Sequence, residues 1–103
     1  MAKPSFFAKL TAKPGKRDEV VAAFDKMQSA VADEAGTLVY SVHLDNADEN
    51  ALWIFELYTD DEALAAHSSS PAMATLFGDI GQLLGDGPLL VPTTSHGGKG
   101  LPS

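Results

Sequence analysis

One stretch, Ala51 to Tyr58 (ALWIFELY), limits most strongly what this chain can fold into. Side chains of a β-strand alternate between two faces, so Trp53, Phe55 and Leu57 share one face and Ile54, Glu56 and Tyr58 the other. Both faces carry large apolar groups, and neither suits water. Such a strand has to be covered twice. A chain of 103 residues buries only about two-thirds of the surface that its unfolded form exposes. With 45% hydrophobic residues it can build one thin core. Its own helices are expected to cover one face, and a second copy of the chain the other.

The rest of the chain supplies those helices. Ser5 to Lys13 alternates as a strand, with Phe6, Ala8, Leu10 and Ala12 on one side, and Pro14-Gly15 ends it. Lys16 to Glu34 reads as a helix. Val20, Phe24, Met27 and Val31 form its apolar stripe, Asp18 and Glu19 favour its N-terminus, and Gly36 lies just past its end. Thr37 to Asp45 is a second strand, joined by a polar loop to the strand at Ala51–Tyr58, a hairpin arrangement. Thr59 with Glu62 fits a capping box that opens a helix from Asp61 to about Ser69. Pro71 interrupts it. Helix resumes near Ala72, with Met73, Leu76, Phe77, Ile80, Leu83 and Leu84 on one stripe. Pro88 to Thr94 is a last strand that Pro92 confines to an edge. The order is β-α-β-β-α-β, an α+β, ferredoxin-like split βαβ fold. It predicts a four-stranded antiparallel sheet with helices on one face. Residues 1–94 form the domain, and 95–103 a Gly-rich flexible tail.

Composition excludes several classes of function. The formal charge of −7 argues against nucleic acid as a partner. The absence of cysteine removes disulfides, thiol nucleophiles and Cys-ligated metals. Three scattered histidines give no metal-ligand spacing, and the acidic loop at Asp45–Asn50 lacks the order of a calcium-binding loop, so no metal is expected. No apolar run suits a membrane span or a signal peptide, and a cytoplasmic location is expected.

Three stretches carry a resemblance: Glu34-Ala35-Gly36-Thr37-Leu38-Val39-Tyr40, Phe55-Glu56-Leu57-Tyr58 and Glu62-Ala63-Leu64-Ala65-Ala66-His67. In this order and spacing, with Pro14-Gly15-Lys16 after the first strand, they resemble the antibiotic biosynthesis monooxygenase family over roughly residues 5 to 94. The resemblance implies a homodimeric α+β barrel with a pocket between sheet and helices in each subunit. It also implies oxygenation of a quinol or polycyclic phenol by molecular oxygen without metal, flavin or haem. Other members are isomerases or process small carbonyl compounds, and a non-catalytic dimer that binds an apolar ligand is a further alternative. Haem-degrading relatives carry asparagine, tryptophan and histidine where this chain has Ala8, Tyr58 and Phe77, which disfavours that branch.

Candidate site residues follow. His67 is the one histidine placed on a helix beside the sheet. It is either a general base toward a phenolic hydroxyl or a structural ring under the serine turn. Tyr58 either orients a substrate oxygen or sits at a core edge with its hydroxyl in water. Glu56 either pairs with a cation such as Arg17 or is a pocket acid with a raised pKa. Trp53 either stacks on an aromatic substrate or belongs to the dimer core. Phe6, Met73 and Phe77 either line an apolar pocket or fill the core.

Overall fold

In the computed structural model, which describes residues 3–102, the strands are β1 (Lys3–Thr11), β2 (Thr37–Leu44), β3 (Ala51–Tyr58) and β4 (Leu89–Ser95). The helices are α1 (Arg17–Val31), α2 (Asp61–Ser68) and α3 (Pro71–Ile80). The strands form one antiparallel sheet in the order β2-β3-β1-β4. This is the expected ferredoxin-like topology. β4 lies at the sheet edge with Pro92 opposite Phe6, where a missing N–H costs least. Of the expected tail, Ser95 belongs to β4, and Ser103 lies outside the described residues.

The register divides the sheet into two unlike faces. Ala8 lies opposite Ile54 and Leu90, and Phe7 opposite Phe55 and Val91. The Ala8–Ile54 side packs on the helices: Ala8, Leu10, Val20, Phe24, Met27, Ile54, Leu76 and Ile80 are all buried in one cluster. The Phe7 side is bare. Phe7 (44% exposed), Trp53 (38%), Leu89 (54%) and Val91 (39%) form an apolar band on it, and the Phe7 and Phe55 rings lie 4.9 Å apart.

Three local expectations are corrected. The α2 cap is Asp60, not Thr59 with Glu62: the Asp60 carboxylate accepts the Ala63 N–H at 2.8 Å. The cap lies one position later than the capping box would place it, and the orphan donor it serves moves along with it, to Ala63. α3 stops at Ile80, before Leu83 and Leu84. The chain there turns so that the Leu83 carbonyl accepts the Lys13 N–H and the Gly85 N–H reaches the Thr11 carbonyl, 2.7 and 2.8 Å away. These bonds serve backbone groups at the end of β1 that a continued helix would leave unpaired. Arg17 does not pair with Glu56. Its Nη1 donates to the carbonyls of Asp45, Asp48 and Ala51, at 3.1, 3.2 and 3.2 Å, and ties the β2–β3 loop to the start of α1.

Candidate active site

Alternation along β3 points Ile54 and Glu56 at the helices, and the helix period of α2 turns Leu64 and His67 back toward them. Between the two layers lies a cavity of about 430 Å³, within the range of small-molecule sites. Its walls are mostly apolar: Phe6, Ala8 and Leu10 from β1, Phe24 from α1, Ile54 from β3, and Met73, Leu76, Phe77 and Ile80 from α3. Four residues on its walls bear polar side-chain atoms: Tyr40, Glu56, His67 and Ser68.

His67 is the best-held of them. The residue is 2% exposed. Its Nδ1 lies 2.9 Å from Glu34 Oε1, an oxygen that also accepts the Thr37 hydroxyl at 2.6 Å. A carboxylate can only accept, so Nδ1 carries a proton, and in the neutral ring Nε2 presents a lone pair. That Nε2 is buried with no hydrogen-bond partner. The nearest acidic oxygen, Glu56 Oε1, is 3.9 Å away, too far for a hydrogen bond. Buried polar atoms are rarely left unpaired in folded proteins, and this one belongs to a cavity-lining side chain.

Glu56 receives the Tyr58 hydroxyl hydrogen bond on its Oε1. Burial raises the Glu56 carboxyl above the ordinary carboxylate range, and the bond from Tyr58 and the proximity of His67 offset part of that rise. Burial also pushes the Tyr58 phenol well above its ordinary value, reinforced by its bond to Glu56. Tyr40 shifts the same way, through burial and then the negative charges of Glu56 and Glu34. The two tyrosine rings flank the imidazole, with centroids 5.2 Å (Tyr40) and 5.4 Å (Tyr58) from it. Neither phenol ionises near neutral pH, which leaves the imidazole and the Glu56 carboxyl as the groups of this cavity that can take up a proton.

Of the seven residues singled out in the sequence, Phe6, Glu56, His67, Met73 and Phe77 line this one cavity. Tyr58 stands just behind its wall with its hydroxyl committed to Glu56 and not to water. Trp53 does not reach the cavity. It lies on the bare sheet face, where its indole N–H donates to Asp45 Oδ2 at 2.9 Å and the Lys9 ammonium sits 5.4 Å from its ring centroid. That indole bond, with backbone N–H groups of Asp48 and Ala47, holds the Asp45 carboxyl down at about 2. Glu34 and Tyr40 are the residues missed. Both stood in the stretch that carried the family resemblance, but neither was read as part of a site. No group of His, Asp and Glu side chains among the described residues is arranged to hold a metal ion.

The family model for antibiotic biosynthesis monooxygenases matches residues 6–77, most of the chain. The chain belongs to that family. The matched segment holds most of the residues that line the cavity; Ile80, Leu84, Pro88 and Leu90 lie beyond it. Among solved structures, a Chloroflexus aurantiacus protein provisionally named an antibiotic biosynthesis monooxygenase is 26% identical. The alignment covers 97% of this chain and 99% of that one with a TM-score of 0.81. A Caulobacter crescentus protein with the same provisional name is 24% identical, covering 89% and 88% of the two chains with a TM-score of 0.83. A Mycobacterium tuberculosis protein is 22% identical, covering 94% and 98% with a TM-score of 0.85. The last two likenesses speak for the fold alone. Comparison with curated proteins finds no match.

Proposed function

We propose that this protein is a monooxygenase that uses molecular oxygen on an electron-rich phenol or hydroquinone and needs no bound cofactor. The observation that carries this reading is His67: an imidazole that lines an apolar cavity, with its Nε2 buried and unpartnered and its Nδ1 held by a carboxylate. In a family of this name, the substrate itself can supply the electrons. Nε2 removes the hydroxyl proton, and the imidazolium that forms is partnered by Glu34. The phenolate passes one electron to oxygen, and the two radicals combine at a ring carbon as a hydroperoxide. Loss of water then leaves a carbonyl. One oxygen atom ends in the product and the other in water, so a CH₂ of the keto tautomer plus O₂ gives C=O plus H₂O. The proton taken at the start returns to the peroxide oxygen. The apolar walls favour a flat aromatic substrate and shield the radical pair from water.

The bare face of Phe7, Trp53, Leu89 and Val91 supports a homodimer joined sheet to sheet, with one cavity in each subunit. Oxygen uptake with a panel of hydroquinones tests the reaction. Consumption that falls at least a hundredfold in His67→Ala, in line with loss of a general base, is the expected result. No consumption by the parent with any of them ends this reading.

A second reading is an isomerase of a carbonyl compound. Glu56, raised toward its acid form, lies 3.9 Å from the base, which sets an acid and a base on one cavity. Deuterium exchange into a ketone substrate without oxygen distinguishes it.

A further inference from the structure

His67 has a second side. Behind the imidazole, away from the cavity, lies a separate groove of about 290 Å³ between the start of β2 and α2. Glu34, Ala35, Gly36, Ala63, Ala66 and Ser70 border it. His67 also borders it, and among the described residues His67 is the one side chain that lines both this groove and the apolar cavity. The groove walls are small side chains, so nothing bulky stands between the Glu34 carboxylate and solvent. That side chain is 24% exposed, whereas the His67 side chain is 1% exposed. The imidazole therefore stands between two compartments, its Nε2 buried without a partner and its Nδ1 bonded to the carboxylate of a part-exposed side chain.

We propose that Glu34 is a positioning residue that fixes the Nδ1–H tautomer of His67 and carries protons between that nitrogen and solvent through the outer groove, so that the charge of the ring follows the solvent while the cavity is filled. This deepens the reaction above and rests on His67 being its base. The chemistry is a proton transfer at each end of one ring. A ring that has taken a proton at Nε2 releases its Nδ1 proton to Glu34 Oε1 and on to water, and when Nε2 later gives up its proton in the cavity, Nδ1 takes one back from solvent through Glu34 Oε1. The Nδ1–H tautomer is then restored, ready to accept at Nε2, without solvent crossing the apolar cavity. A buried imidazolium with no partner is costly, and Glu34, hydrogen-bonded at 2.9 Å, is the closer of the two carboxyls beside the ring. The other titratable groups facing the ring are Glu56 and Tyr58 on β3 and Tyr40 on β2. None of the three borders the groove.

Two substitutions at exposed positions separate the routes. Ala66→Leu covers the groove, and Phe77→Ala opens the cavity mouth. The readout is the His67 ring in ¹⁵N-histidine-labelled protein without any substrate: the ¹⁵N shifts report the tautomer, and the Nδ1–H line reports exchange with water. The expected result is exchange slowed at least tenfold in Ala66→Leu and within twofold of the parent in Phe77→Ala. Glu34→Leu, which leaves Nδ1 without an acceptor, is expected to populate the Nε2–H tautomer. Faster exchange in Phe77→Ala with no change in Ala66→Leu overturns the proposal. So does a Glu34→Leu ring that keeps the parent tautomer. Because no substrate is present, these outcomes stand whether or not the protein consumes oxygen with hydroquinones.

Discussion

Gly36 is where the loop after α1 meets α2, and it has no room for even one more carbon. A Cβ built there would stand 2.5 Å from the Ala63 Cβ and 3.3 Å from the Thr59 hydroxyl. The Gly36 backbone is not in the left-handed region, so an alanine meets this obstacle through sterics alone. Ordinary carbon–carbon contacts lie at about 3.5–4.0 Å, which means that Gly36→Ala must open this seam by about 1 Å. Such overpacking costs about 1–3 kcal/mol, and in a domain of this size each kcal/mol lowers Tm by roughly 4–8 °C. His67 follows Ala63 by four residues on the same helix face, so a shift of α2 also stretches the 2.9 Å bond between His67 and Glu34. The decisive assay is a double-mutant cycle by denaturant unfolding. Ala63→Gly alone removes helix propensity and costs about 1 kcal/mol. If the two side chains collide as the geometry requires, the double variant Gly36→Ala/Ala63→Gly is destabilised by about 1 kcal/mol and regains the parent His67 ring resonances. Costs that simply add, to about 2–4 kcal/mol, refute the steric argument.

Other consequences can be measured directly. The Glu56 carboxyl is raised in the folded state, so its contribution to stability is fully present below the unfolded value of about 4.3 and is lost as pH rises through the folded value. Glu56→Gln keeps an oxygen for the Tyr58 hydroxyl and is expected to be more stable than the parent at pH 8. The gap grows by about 1.4 kcal/mol for each pH step between the two values and vanishes near pH 3 in urea titrations. Asp60→Ala leaves the Ala63 N–H without its cap, and calorimetry should register a loss of about 1 kcal/mol. Phe7→Glu places a charge in the middle of the bare face, 4.9 Å from the Phe55 ring in the parent. Sedimentation is expected to show a dimeric parent and a monomeric variant, and a parent that sediments as a monomer at micromolar concentration contradicts the sheet-to-sheet association.

The parts of the fold that follow a period were legible. Val20, Phe24, Met27 and Val31 repeat at helical spacing and all lie in the core. The alternation of β3 separates Trp53 from Ile54 as written. Boundaries were harder, because they depend on backbone partners far away in the chain: α3 ends early since Lys13 and Thr11 need the Leu83 carbonyl and the Gly85 N–H. The site was half legible. His67 and Glu56 stood out as polar groups on an apolar helix and strand. Glu34 did not, because 33 residues separate it from the imidazole it holds. A clue was present in the topology: Glu34 shortly precedes β2, α2 begins just after β3, and antiparallel pairing sets Thr37 opposite Tyr58. Trp53 misled through its type. A large aromatic ring suits substrate stacking, but the strand period turns it away from the cavity.

The three carbonyls gathered by Arg17 have a consequence for insertions and deletions. Side chains on a strand swap faces when the register slips by one. A slip of β3 would therefore carry Glu56 and Ile54 out to the bare face and bring Trp53 and Phe55 in among the helices. By gripping Asp45, Asp48 and Ala51 together, one guanidinium measures the length of the β2–β3 loop and keeps that exchange from happening. Loop length at this corner is thus a form of chemical information, and a chain one residue longer there would have to find a new way to count.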